Sequence, residues 1–310
     1  MDLNRTYVTE VIFLGFSANP EINIVLFLLF FVIYLTTFIG NTLIICLVIL
    51  YHQLHTPMYY FLCILSFVDL CNSSTVVPRL LIDLFSVRRS IPLGACAVQL
   101  YIVLLMGGTE CLLLAIMAYD RYVAISHPLH YLILMRWEVC YRLTAFLWIT
   151  SFFVFVFPSL LSPLTLCNPN QINHFMCEVI AIMTLSCYQA NANVILILVI
   201  CFINILLPFV FILGTYIGIL CSVLKIHSTQ RSKALSTCTS HITVVVLFYG
   251  SALVMNFGAM SPYSKNQGKY ITVFYLIICP MLNPIIYSLN NTEVKNKLRY
   301  INKKKLLVCN

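Results

Sequence analysis

The sequence predicts an all-α membrane protein: a seven-transmembrane helix bundle with the N-terminus outside and a short amphipathic helix after the seventh span. Three observations predict it. Of 310 residues, 61% are apolar and 9% charged, against about 25% charged in an ordinary soluble domain. So few charges cannot cover a water-soluble fold of this size, and lipid must cover part of it. The apolar residues gather in seven continuous runs, each long enough for the roughly 20 residues a helix needs to cross the hydrocarbon core. The Lys and Arg residues between those runs are unevenly divided, which gives the bundle a direction.

Met1 to Glu10 is polar and carries Asp2, Arg5 and Glu10. A cleavable signal would place a short apolar core there. The first apolar run is too long for one and reads as an uncleaved signal-anchor. Spans are expected near Ile22–Leu50, Met58–Leu84, Ala97–Val123, Cys140–Leu161, Asn193–Leu224, Leu235–Met260 and Tyr270–Ser288. The runs are continuous rather than alternating, which argues for helices over membrane strands. Pro208 and Pro284 fall inside spans and predict kinks, as do Pro158 and Pro280. The organisation is a single domain over 1–310: an extracellular tail 1–21, the bundle 22–288 and a cytosolic tail 289–310. The longest loop, Ser162 to Ala192, is too short for a separate binding domain.

An odd number of spans puts the termini on opposite faces. With the C-terminus inside, the inner side holds Arg121, Arg136, Arg142, Lys225, Arg231, Lys233, Lys295, Lys297, Arg299, Lys303, Lys304 and Lys305. The outer side holds half as many: Arg5, Arg79, Arg88, Arg89, Lys265 and Lys269. The positive-inside rule therefore places the N-terminus outside. The sequon Asn4-Arg5-Thr6 then lies where glycosylation can occur. The net charge of +8 is concentrated in the C-terminal tail, which suits a membrane surface rather than nucleic acid. Val294, Leu298 and Ile301 recur at helical spacing opposite basic residues, the pattern of a helix lying on the inner leaflet.

Most of the 14 cysteines lie within spans and read as small apolar packers. Cys96, Cys167, Cys177 and Cys187 lie at the outer, oxidising face, where bridges form. Four cysteines allow three pairings, and spacing alone does not choose among them. The stretch His174-Phe175-Met176-Cys177-Glu178 reads as a polar loop rather than a metal site, since a disulfide would take the Cys177 thiolate.

Ionisable groups inside a membrane span are costly and mark function or a hydrogen-bonded cluster. Asn41, Asp69, Glu110 and Asn283 come from four different spans at mid-depth. They are expected to meet as one polar network, structural or able to hold water or a cation. Asp120-Arg121-Tyr122 stands at the inner end of the third span. There the acidic neighbour is expected to hold the Arg121 guanidinium in one geometry.

These residues, in order, resemble a family. Gly40-Asn41 is followed by Leu54-His55-Thr56-Pro57-Met58-Tyr59-Tyr60-Phe61-Leu62. Met117-Ala118-Tyr119-Asp120-Arg121-Tyr122-Val123-Ala124-Ile125 and Pro128-Leu129 come next. Then come Lys233-Ala234-Leu235-Ser236-Thr237-Cys238, His241, Phe248-Tyr249-Gly250 and Pro280-Met281-Leu282-Asn283-Pro284-Ile285-Ile286-Tyr287. The chain resembles the olfactory receptors, a branch of the rhodopsin-like G-protein-coupled receptors, over nearly its whole length. Ser126-His127, Thr215-Tyr216 and Asn290-Asn291 depart from the family pattern on the inner side.

The resemblance implies a multi-pass plasma-membrane receptor for a small volatile odorant, with no covalent chemistry and no cofactor. It implies a stimulatory olfactory-type heterotrimeric G protein as partner, raising cyclic AMP. It also implies the disulfides Cys96–Cys177 and Cys167–Cys187. Ligand is expected between the third, fifth and sixth spans, with Leu104, Gly107, Gly108, Cys201, Asn204, Tyr249, Ala252 and Asn256 as candidate contacts. Asp120, Arg121, Tyr122, Tyr216, His241 and Tyr287 are the candidate switch residues.

The outer half of the third span, Leu100 to Gly108, holds no carboxylate, so a buried ammonium ligand would lack a partner there. A neutral, mostly apolar ligand is expected. Gly107 and Gly108 leave room either for ligand or for close helix packing. Ser251, Asn204, Asn256 and Tyr249 can orient a ligand or bond their own backbone. The rivals are a rhodopsin-like receptor for another ligand class and a seven-span transporter using Asp69 and Glu110. A retinal-type pump would need a Lys midway along Tyr270–Ser288, which has none.

Overall fold

The computed structural model describes residues 9–17, 19–161, 170–183, 185, 191–225, 228–259, 268–290, 295 and 297. Among these, seven helices are long and apolar enough to cross a membrane. They are α1 (Pro20–Leu50), α2 (Pro57–Phe85), α3 (Leu93–Ser126), α4 (Trp137–Leu161), α5 (Asn191–Val223), α6 (Ser228–Ala259) and α7. The seventh runs through Gly268–Val273, Phe274–Ile278 and Cys279–Asn290. Each expected span corresponds to one helix.

Helix α1 shows why lipid is needed. Asn19 caps it, its side chain accepting from the Glu21 N–H at 2.9 Å, and Pro20 opens it. Its buried residues are Asn23, Phe30, Thr37, Asn41, Ile44 and Leu47, a narrow stripe at helical spacing. The remaining faces expose Val25, Leu28, Val32 and Ile39, an apolar surface only hydrocarbon can cover. By contrast α3 is the axis of the bundle, buried along its length from Cys96 to Val123. It packs on α2, α4, α5 and α6.

Two spans carry π-helical turns, at Phe152–Val156 in α4 and Phe274–Ile278 in α7. Such turns insert one extra residue and re-aim the side chains on them. Besides the expected Pro208 and Pro284, Pro78 lies inside α2.

A small sheet outside the bundle was not expected from the sequence pattern. Strand β1 (Glu10–Phe13) lies between β2 (Ser90–Pro92), antiparallel, and β3 (Gln171–Ile172), parallel, with Val11 opposite Ile91 and Phe13 opposite Ile172. Val11 and Phe13 point inward and are buried, while Glu10 and Ile12 alternate outward. Gly15 then turns at φ +67°, a conformation glycine adopts freely. The chain is fastened by Arg89, which donates to the carbonyls of Leu14 and Ser17, and by Lys269, which donates to that of Gly15. Arg88 pairs with Glu10. Residues 9–17 therefore form a strap fastened to the sheet end of the bundle.

The disulfide Cys96–Cys177 is formed, joining α3 to the segment after β3 with Cα atoms 5.5 Å apart. Gln99, one turn further along α3, reinforces it: its amide donates to the Thr75 carbonyl in α2 and its oxygen accepts from the Cys177 N–H at 3.0 Å. The expected Cys167–Cys187 bridge, the Asn4 sequon, and Val294, Leu298 and Ile301 of the expected surface helix lie outside the described residues. So does most of the C-terminal tail.

Candidate functional site

An apolar cavity of about 140 Å³ lies in the half of the bundle that carries the sheet. Helix α3 supplies one wall with Leu100, Val103, Leu104, Gly107, Gly108 and Cys111. Phe155 comes from α4, Ile205 from α5, and Phe248, Ala252 and Met255 from α6. Tyr275 of α7 and the segment Met176–Val179 close it. An engineered cavity of about 150 Å³ with similar walls stays dry and takes up benzene. This one has the size for a small, mostly apolar molecule.

Four of the expected contacts line it: Leu104, Gly107, Gly108 and Ala252. The two glycines have different jobs. A Cβ on Gly107 would meet nothing within 4 Å, so its missing side chain is open space. A Cβ on Gly108 would run into the Phe155 ring, so Gly108 serves close packing of α3 against α4. Tyr249 corrects the expectation. It is fully buried beneath the cavity, and its hydroxyl donates to the Cys111 carbonyl at 2.8 Å. It joins α6 to α3 rather than touching the cavity. Asn204 is half-buried outside the lining. Ser251 donates to its own helix, at the Leu247 and Phe248 carbonyls, so its one hydroxyl hydrogen is already taken. The side chains of Cys201 and Asn256 lie outside those described.

Sequence reasoning missed Phe155, Tyr275, Phe248, Met255 and Glu178. The first two ride on the π-helical turns of α4 and α7, which no periodicity reveals. Glu178 had a legible signal: it follows Cys177, and a bridge to Cys96 at the head of α3 draws it over the bundle.

At mid-depth, Asn283 Nδ2 donates to both carboxylate oxygens of Asp69, at 3.2 and 3.0 Å. Asn41 Nδ2 donates to the Thr37 and Pro280 carbonyls, both at 3.0 Å. Pro284 has no N–H to give the carbonyl four residues back, and that carbonyl is Pro280's, so Asn41 fills the vacated bond. Gly40 permits it, since a Cβ there would sit 2.9 Å from Pro284 Cγ. Glu110 is buried nearby, within electrostatic reach of Asp69, with Oε1 making no hydrogen bond. The four expected residues do converge, but Glu110 stands beside the hydrogen-bonded set rather than within it.

At the opposite end from the sheet, Asp120 corrects a second expectation. Its carboxylate accepts from the Tyr131 hydroxyl at 2.8 Å, and among the described residues it forms no ion pair with Arg121. Burial, together with the Asp120 charge, pushes the Tyr131 phenol above its ordinary range, so it stays a donor. Arg121 is buried, with no hydrogen bond at Nε. Around it, the Tyr216 hydroxyl lies 2.6 Å from His241 Nδ1, tying α5 to α6. Tyr122 packs where a Cβ on Gly218 would sit, and Tyr287 is buried with its hydroxyl unpaired.

A seven-helix bundle with an apolar cavity at one end and a buried Asp-Arg-Tyr at the other has the architecture of a rhodopsin-like receptor. The crystal structure of squid rhodopsin superposes with a TM-score of 0.71, covering 95% of this chain and 89% of that one at 17% identity, which establishes the fold. The family follows from sequence. The olfactory receptor family model matches residues 30–305. Human olfactory receptor 2A12 is 41% identical over 97% of this chain and 98% of its own length. Mouse olfactory receptor 2B6 is 43% identical over 99% of both. The chain belongs to the olfactory receptor family: G-protein-coupled receptors, not enzymes, that lie in the plasma membrane as multi-pass proteins.

Proposed function

We propose that this receptor binds a small neutral, mostly apolar odorant in the cavity and activates a stimulatory olfactory-type G protein, raising cyclic AMP. The observation that carries this reading is the cavity itself, whose walls are almost wholly hydrocarbon and aromatic. Leu104, Gly107, Gly108 and Ala252 are its proposed contacts from the expected set, joined by Phe155 and Tyr275. The sheet end faces outward and the Asp120 end inward, in keeping with the division of Lys and Arg.

Binding shifts a two-state equilibrium only through tighter contact with the active arrangement. Phe248 lines the cavity, and Tyr249 beside it is bonded to α3. Ligand pressing on Phe248 and Ala252 therefore acts on the α3–α6 junction. The same helix carries His241 on its inner stretch, bonded to Tyr216 of α5. Movement of α6 breaks that contact and frees the Arg121 surface for the G protein. Asp69, Asn283, Asn41 and Glu110 form the pivot between.

The test is a dose-response in a cyclic-AMP reporter cell with surface expression measured in parallel. A panel of neutral odorants is expected to give at least one saturable response that needs the stimulatory Gα. An Arg121→Ala receptor that reaches the surface yet signals like wild type contradicts the mechanism.

A further inference from the structure

Among the sixteen described residues lining the cavity, three side chains offer a titratable or hydroxyl hydrogen-bonding group: Cys111, Glu178 and Tyr275. Cys111 is engaged, its thiol lying 3.3 Å from the Tyr249 hydroxyl. Tyr275 is not. Among the described residues the Tyr275 hydroxyl has no hydrogen-bond partner. His174 Nε2 lies 3.1 Å from Glu178 Oε2, a close contact in which that nitrogen makes no hydrogen bond.

The tautomer of that histidine follows from its other nitrogen. The Met176 N–H donates to His174 Nδ1 at 3.2 Å, so in the neutral ring the proton sits on Nε2. His174 is itself buried, at 4% side-chain exposure, and fixed against the Phe175 ring. Glu178 keeps 12% of its side chain open and is one of the residues lining the cavity. A carboxylate and a phenol thus line one otherwise greasy chamber, with Tyr275 inside the electrostatic reach of Glu178.

The inventory of donors decides what fits between them. An ionised carboxylate only accepts, while a phenol donates once and also accepts. A ligand hydroxyl satisfies both groups, donating to Glu178 and accepting from Tyr275. An ether or carbonyl only accepts, and would turn a lone pair toward the carboxylate. A hydrocarbon leaves both groups dry and unpaired. An ammonium would find an ion-pair partner in Glu178, but both charges must then shed water among apolar walls, which costs more than the pair returns unless every donor and lone pair is satisfied. We infer that Glu178 and Tyr275 form the polar end of the cavity and select a small alcohol, aliphatic or phenolic, over the ether, carbonyl or amine of the same shape. This rests on the reading of the cavity as the odorant site. The cavity volume, set beside the benzene-sized comparison, limits the molecule to roughly six to eight heavy atoms.

The experiment uses the full-length receptor in cyclic-AMP reporter cells. Any neutral odorant that activates it is remade as a matched set of alcohol, methyl ether, aldehyde, amine and hydrocarbon. For a six-carbon chain the set is 1-hexanol, methyl pentyl ether, hexanal, hexylamine and heptane. The alcohol is expected to be at least tenfold more potent than every other member. Tyr275→Phe, which keeps the ring, is expected to bring the alcohol-to-ether ratio within about threefold of one. Glu178→Gln, which keeps the shape of the loop residue, is expected to lower that ratio as well. A structural defect would weaken all members alike and leave the ratio unmoved. Equal potency across the set, a preferred amine or carbonyl, or an unchanged ratio in both variants overturns the inference and leaves the odorant site standing. If no neutral odorant activates a receptor present at the surface, the odorant-site reading fails instead.

Discussion

Asn41 Nδ2 lies 3.0 Å from the Pro280 carbonyl, the acceptor that Pro284 leaves without a helical donor. A kinked seventh helix is thereby sealed by the first. Replacing Asn41 with Leu strands a buried carbonyl at a cost of about 1–3 kcal/mol. The expected outcome is a lower melting temperature of the detergent-purified receptor. Gly40→Ala should cost about 1–3 kcal/mol by overpacking against Pro284. Because both act on the same Pro280–Pro284 turn of α7, the double variant should fall short of the sum.

The Cys96–Cys177 bridge closes a loop of 81 residues, worth roughly 4 kcal/mol in the chain-entropy view. Cys96→Ser and Cys177→Ser should each reduce surface expression severely, and the double variant should be no worse than either. Flow cytometry on intact cells checks this. Additive losses would show that the cysteines act separately.

Tyr131 holds Asp120 by its hydroxyl at 2.8 Å. Tyr131→Phe removes a hydrogen bond to a charged group, worth about 1.5–3 kcal/mol, and leaves the carboxylate free. If that contact steadies the resting state, basal cyclic AMP should rise several-fold at equal surface level. A lower basal signal would assign the contact to the active state. Tyr216→Phe, which loses the bond to His241, should shift basal signalling in the same direction.

The seven helices were legible because bilayer thickness imposes a length and lipid imposes an apolar composition, and neither depends on tertiary detail. The polar centre was legible because Asp69 and Asn283 are too costly to leave unpartnered in hydrocarbon. The cavity was only partly so. Leu104, Gly107, Gly108 and Ala252 follow from helix order. Phe155 and Tyr275 do not, because a π-helical turn breaks the periodicity on which facing is judged. The strap at Glu10–Phe13 is not legible, since its four residues are stable only through pairing with β2 and β3, each distant in sequence. The Asp120 contact is hidden for a related reason: its partner Tyr131 sits beyond the helix end, where no spacing rule reaches.

Gly108 and Phe155 control the width of the cavity. A methyl on Gly108 would collide with the Phe155 ring, so Gly108→Ala should push that ring inward and weaken larger ligands more than smaller ones. Phe155→Ala should do the reverse. Potency against a series of increasing chain length checks both, and parallel shifts in the two variants would refute the assignment.

Gly107 offers the most direct test of the central claim, that odorant occupying this cavity drives the receptor. Its missing side chain is open space, with nothing within 4 Å of the point a Cβ would occupy, so the side chain of Gly107→Leu starts without a clash and takes up room in the chamber. The measurement is the cyclic-AMP dose-response of Gly107→Leu against wild type at matched surface expression, using any activating odorant. The account predicts loss of the ligand response by at least tenfold in potency, with basal signalling retained. A filled receptor that responds with wild-type potency would place the ligand elsewhere and contradict the account.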